Sequence, residues 1–232
     1  MSLIRRFAPF AILVVALWWV VSHADLSLLA GGSLTDKVAV EAPTESQDRA
    51  AVALAKVRVA KLQTAPAANV DYRRSDFGPG WKTVRGCDMR NRALARDLVE
   101  ERFKPGTRDC VVESGILVED LYSGRRVEFV KGGPLANSLD IDHVVPLSYA
   151  AQHGAHGWSA DRRESFANDP SNLLAVDAAT NREKGDDGPS EWLPVASGRC
   201  VYVAAFVNVA TEYRVTVTEA DKSRIEKVLA GC

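Results

Sequence analysis

Asp140-Ile141-Asp142-His143-Val144-Val145-Pro146-Leu147 is the stretch from which the rest of the chain is best read. Its apolar residues predict a short strand over 141–145, and Pro146, which has no amide proton, cannot continue it as a central strand. Successive side chains on a strand face opposite ways, so Asp142 and His143 share one site only where the strand ends beside them. Pro146 supplies that end. A carboxylate next to a histidine is a weak signal alone, equally compatible with a histidine satisfied structurally; its surroundings strengthen it.

Downstream, the pattern predicts a helix over 149–166, a turn at Asn168-Asp169-Pro170 and a short apolar strand over 173–176. Asp177 then opens a helix that Gly185 closes. Upstream, alternating β-branched residues predict strands over 110–118 and 125–131, joined by Tyr122-Ser123-Gly124. Helices are expected over 45–62, after Ser46, and over 88–103, where Met89, Leu94, Leu98, Val99 and Phe103 share a side. The tail reads as a strand over 200–207 and an amphipathic helix over 218–229. The class is therefore α+β, with a strand–strand–helix unit at about 138–186 and no internal repeat.

The 232 residues are 47% hydrophobic and 25% charged with a net charge of −1, which excludes disordered and fibrous classes. Arg5 and Arg6 precede an uncharged run from Phe7 to Val21, and Ser22-His23-Ala24 offers a cleavage site: residues 1–24 read as a signal peptide. If uncut, residues 7–24 are an anchor and the only link to a membrane. Either way the remainder lies outside the cytoplasm, secreted or extracytoplasmic. Cleavage removes Arg5 and Arg6 and takes the net charge from −1 to −3, so nucleic-acid binding would depend on local geometry rather than bulk charge. Residues 25–44 read as a linker and 45–232 as the folded domain.

Outside the cytoplasm, Cys87, Cys110, Cys200 and Cys232 favour disulfides, and their spacing matches no zinc knuckle. Three connectivities are open; Cys87–Cys110 with Cys200–Cys232 gives the shortest loops.

Four segments together carry a resemblance: the stretch from Asp142 to Leu147, then Phe166-Ala167-Asn168-Asp169-Pro170-Ser171-Asn172-Leu173-Leu174, Asn181-Arg182-Glu183-Lys184-Gly185-Asp186, and Glu191-Trp192-Leu193-Pro194. They resemble HNH-type endonucleases of the ββα-metal superfamily, most closely a secreted bacterial branch. Tyr72-Arg73-Arg74-Ser75-Asp76-Phe77-Gly78 and Cys87-Asp88-Met89-Arg90-Asn91 extend the likeness over roughly 70–232. The resemblance implies a disulfide-stabilised ββα-metal core flanked by further helices and strands. It implies metal ligands at Asp142 and Asn181, a general base at His143, and Asn172 bonding across the hairpin to fix the loop that bears the histidine. Asn in place of the last histidine points to a hard, oxygen-bound ion, Mg²⁺ first, with Mn²⁺ or Ca²⁺ as substitutes. The segment between His143 and Asn172 is longer than in the minimal motif, and His153 and His156 on it read as surface or loop residues.

The implied reaction is phosphodiester hydrolysis by an exported, metal-dependent endonuclease acting on DNA, and on RNA by the same chemistry. Arg163, Arg182 and Lys184 near the motif, and Arg73, Arg74, Arg90 and Arg92 upstream, are the candidate phosphate contacts. From Asp71 to Arg108 ten basic residues face six acidic ones, although any one arginine is as readily a solvated helix face. Trp81, Trp158 and Trp192 read as core, and Asp140 as either a supporting carboxylate or a plain strand-end residue. With no helix-turn-helix, zinc finger or basic arm in view, little base selectivity is expected. No obligatory protein partner is visible. The competing class is a non-catalytic exported nucleic-acid- or envelope-binding domain on the same fold; a serine hydrolase lacks its G-x-S-x-G elbow.

Overall fold

The chain folds as an α+β protein in a computed structural model that describes residues 45–232. The export segment and linker expected over 1–44 lie outside the described residues. Helix α1 (Glu45–Arg58) is followed by the β1–β2 ribbon (Thr83–Val84, Cys87–Asp88) and α2 (Met89–Asp97). Strands β3 (Val99–Phe103), β4 (Val112–Leu117) and β5 (Val127–Val130) form one antiparallel sheet. Strand β6 (Leu139–His143) leads through α3 (Leu147–Gln152) and α4 (Ala160–Ala167) to β7 (Leu173–Asp177) and α5 (Ala178–Lys184). Helices α6 (Arg199–Tyr213) and α7 (Glu219–Ala230) close the described chain.

The β6–β7 pair is the organising element. It is antiparallel, with Leu139 opposite Asp177 and His143 opposite Leu173. Leu139, Ile141, Leu173 and Ala175 join a cluster with α2 and the β3–β5 sheet, including Met89, Leu94, Val112 and Phe129. Val176, together with Val144 and Val145 just beyond β6, joins the larger helical cluster of Tyr122, Phe166, Tyr202, Phe206 and Ile225. Both faces of this pair are therefore covered, and one edge is too: the Asp97 carboxylate accepts the Ala175 amide at 2.8 Å and Arg96 donates to the Leu173 carbonyl at 2.6 Å.

Several elements depart from the sequence reading. The helix expected over 88–103 stops at Asp97, because Arg96 and Asp97 pin its end onto β7; Leu98 is extended and the chain turns into β3 with Glu100 at φ +53° and a register shift. The continuous helix expected over 149–166 is two helices, broken where Gly154 takes φ +115°, a conformation costly for any residue with a Cβ. The strand expected over 200–207 is the middle of α6. Its buried face holds Tyr202, Val203, Ala204, Phe206 and Val207, but the less buried Val201 and Ala205 are apolar too, so the run carries no helical period. Two helix ends fall where expected, Asp177 accepting the Thr180 amide and Gly185 ending α5, while Thr218, expected within the last helix, is the N-cap of α7. Disulfides join Cys87 to Cys110 and Cys200 to Cys232, the pairing of shortest loops. Among the described residues no helix is long and apolar enough to cross a membrane.

Candidate functional site

Strand alternation separates the two residues of the Asp142-His143 pair. Asp140 and Asp142 turn toward α5, whereas His143, in line with Leu139 and Ile141, turns toward the α2 side. The strand ends at His143, and Pro146 is the residue from which α3 starts.

On the α5 side, Asp142 Oδ2 accepts both the Tyr122 hydroxyl at 2.6 Å and the Lys184 ammonium at 2.8 Å. Lys184 sits in the last turn of α5 with no solvent exposure, and its Nζ also donates to the His143 carbonyl at 3.1 Å. This corrects the expectation of Lys184 as a phosphate contact: it is inside the protein, neutralising a carboxylate. Burial first, and the Asp142 charge after it, push the Tyr122 phenol well above its ordinary range, so it stays a donor. Asn181 turns its amide nitrogen to Asp140 Oδ2 at 3.2 Å rather than to Asp142.

On the other side, His143 Nε2 lies 2.9 Å from the Ala167 carbonyl. A carbonyl only accepts, so Nε2 carries the proton and Nδ1 keeps a lone pair in the neutral ring. Burial lowers the His143 pKa to about 4, against the raising effects of the Ala167 bond and the Asp142 charge; Arg74 and Lys184 push it further down. The imidazole is therefore neutral through the physiological range. The indole of Trp81 lies nearly parallel to it, with ring centres 5.9 Å apart and planes within 8°.

Two asparagines build this side. Asn172, wholly buried, accepts the Val145 amide at 2.8 Å and returns a bond to the Val145 carbonyl at 3.3 Å, fixing the turn that follows His143. Asn168, read from sequence only as part of a turn, accepts the Lys82 amide at 2.7 Å and donates to the Gly80 carbonyl at 3.4 Å. It thereby docks the Trp81 loop beside Ala167. Tyr122 and Asn168 had no distinguishing signal in sequence; their roles arise from long-range contacts.

The expected phosphate contacts are not equivalent. Arg182 is exposed on α5, and Arg74 is exposed near His143. Arg73 is exposed beside Asp76 at 3.7 Å. Arg90 lies over the Phe129 ring at 5.8 Å, and Arg92 donates to the Val84 carbonyl at 2.6 Å. Arg163 is committed to the carbonyls of Asp76 and Trp158, a brace between segments rather than a free cation. His153, expected at the surface, is buried and stacked on Tyr149 with ring centres 4.1 Å apart, because it ends α3 against the α6–α7 connection. His156 is exposed, its Nδ1 bonded to the Ala151 carbonyl. Trp158 and Trp192 pack against the helical cluster.

Among the described residues no three His, Cys, Asp or Glu side chains come together as a metal cluster. Asp140 and Asp142 face α5 with their hydrogen bonds on Oδ2, Asp142 already paired with the Lys184 ammonium and Asp140 with the Asn181 amide nitrogen. Carboxylate and amide oxygens are the donor types that a hard divalent ion takes.

The chain matches the family model described as GmrSD restriction endonucleases, C-terminal domain, over residues 88–228. An uncharacterized secreted protein of the fungus Arthroderma benhamiae is 38% identical over 165 residues, covering 69% of this chain and 76% of that protein. No solved structure matches it.

Proposed function

The chain belongs to the family of GmrSD restriction endonuclease C-terminal domains, and from that premise we propose that it is an exported endonuclease of the HNH type, hydrolysing DNA and RNA with little base selectivity. The observation that carries this reading is the geometry of His143: its Nε2 proton is held by the Ala167 carbonyl, which leaves the lone pair on Nδ1. A neutral, fixed imidazole is what a general base for water requires.

In the proposed reaction His143 Nδ1 takes a proton from water, the water oxygen bonds to phosphorus in line, and the bond to the leaving oxygen breaks. Asn172 holds the turn after His143 so that the ring does not swing. Arg74 and Arg182, exposed near the histidine and on α5, hold flanking phosphates, joined by Arg73 and Arg90 along the upstream segment. Asp142 and Asn181, with Asp140 beside them, would hold a divalent ion, Mg²⁺ first, that would supply positive charge for the phosphoryl and leaving oxygens; because β6 ends at His143, a phosphate lying over the strand end would meet both of its faces. Low base selectivity follows from contacts to the backbone alone.

Residues 45–232 form the catalytic domain in this reading, and residues 1–24 direct export. The secreted fungal relative and the two disulfides support that location. Purified protein incubated with plasmid DNA and Mg²⁺ should nick it, EDTA should stop the reaction, and His143→Ala should abolish it. Equal inactivity of folded wild type and mutant on DNA and RNA across several metals would replace the nuclease with a non-catalytic binding domain.

A further inference from the structure

Lys184 is the feature that the proposed chemistry leaves unexplained. A lysine without solvent exposure is rare, and burying an ion pair seldom stabilises a fold better than apolar packing would. This one sits at the C-terminal end of α5, where the helix favours a cation. Its ammonium touches both sides of a single peptide link: the Asp142 carboxylate at 2.8 Å and the His143 carbonyl at 3.1 Å. The Tyr122 ring lies 6.0 Å away and its hydroxyl takes the same Asp142 oxygen. Asp140, bonded to Asn181, adds a second negative charge on this face of β6.

We infer that Lys184 is the resident counter-cation of the Asp140–Asp142 face, a positioning residue that holds the Asp142-His143 peptide in place and weakens the binding of a divalent ion there. This rests on the proposed ion at Asp142 and Asn181. With Lys184 present the face carries two negative charges and one positive; without it, both negative charges act on an incoming ion. Lys184 thus trades ion affinity for the placement of the two residues it spans. A purely structural lysine would do neither: its loss would leave ion binding unchanged or weaken it.

The test is Mn²⁺ binding by titration calorimetry without substrate, on wild type, Lys184→Met and Lys184→Gln, with Tyr122→Phe as the control that removes a neutral partner of the same oxygen. The glutamine variant, one atom shorter, keeps a hydrogen-bond donor without the charge and guards against a methionine variant that does not fold. Loss of the charge should tighten Mn²⁺ binding by about ten-fold or more. Tyr122→Phe should not tighten it. In the nuclease assay the lysine variants should lose kcat by on the order of 100-fold at nearly constant KM, as expected for misplaced reacting groups. Folded lysine variants that bind Mn²⁺ no tighter than wild type overturn the inference, while a wild type that still binds and cuts leaves the nuclease reading intact. If neither wild type nor variants bind Mn²⁺, the ion and the counter-cation fall together.

Discussion

Asn172 and Val145 exchange two hydrogen bonds, side-chain oxygen from amide at 2.8 Å and side-chain nitrogen to carbonyl at 3.3 Å, so that one buried carboxamide completes the backbone of the turn after β6. Asn172→Ala leaves both Val145 groups unsatisfied in the interior. It should cost about 2–4 kcal/mol in urea unfolding and remove nuclease activity, since no other side chain bonds the Val145 amide and carbonyl. Asn172→Asp keeps the acceptor, loses the donor and buries a charge, and should be at least as damaging.

Acid should destabilise the protein through His143. Its pKa is about 4 in the fold, against about 6.5 unfolded, so between those values the unfolded chain binds more protons. Stability is complete above about pH 6.5 and declines by up to a few kcal/mol as pH falls through about 4. Urea midpoints recorded across this window should slope accordingly, and His143→Asn should flatten the slope.

Arg182 and Arg163 should separate cleanly. Arg182→Ala, at an exposed position, should raise KM and reduce the salt dependence of binding by about one unit in log–log slope, with little change in melting temperature. Arg163→Ala, which strips donors from the carbonyls of Asp76 and Trp158, should lower the melting temperature instead. The reverse pattern would exchange the roles assigned to the two.

The Cys200–Cys232 bond closes a loop between α6 and the second residue after α7, 32 positions on. Replacing both cysteines with alanine should cost about 3–4 kcal/mol in denaturant unfolding, the loop-closure entropy returned to the unfolded chain.

What could be read from sequence were features whose cause is local. Asp177 and Gly185 mark helix ends because capping needs only neighbouring residues. β6 itself ends at His143, before the strand expected over 141–145 does, and Pro146 instead starts α3. What escaped depends on residues distant in sequence. In α6, apolar Val201 and Ala205 on the less buried side erase the periodicity that would identify a helix. The apolar pattern of α2 runs on through Val99 and Phe103 because a strand edge and a helix face can use the same apolar residues. Lys184 reads as a surface cation; only the approach of α5 to β6 encloses it. His153 is similar, since its burial follows from how α6 and α7 close over the end of α3.

The β6–β7 pair belongs to two hydrophobic clusters at once, Ile141 and Ala175 facing one and Val176 the other. Neither cluster can be completed while the pair is undocked, and neither can open without exposing an inner face of the other. The described domain should therefore unfold in one cooperative transition, with Trp81 fluorescence on one side and helical circular dichroism on the other tracing the same curve. The same sharing makes strand length intolerant of change: one residue inserted into β6 would send every following side chain to the opposite cluster.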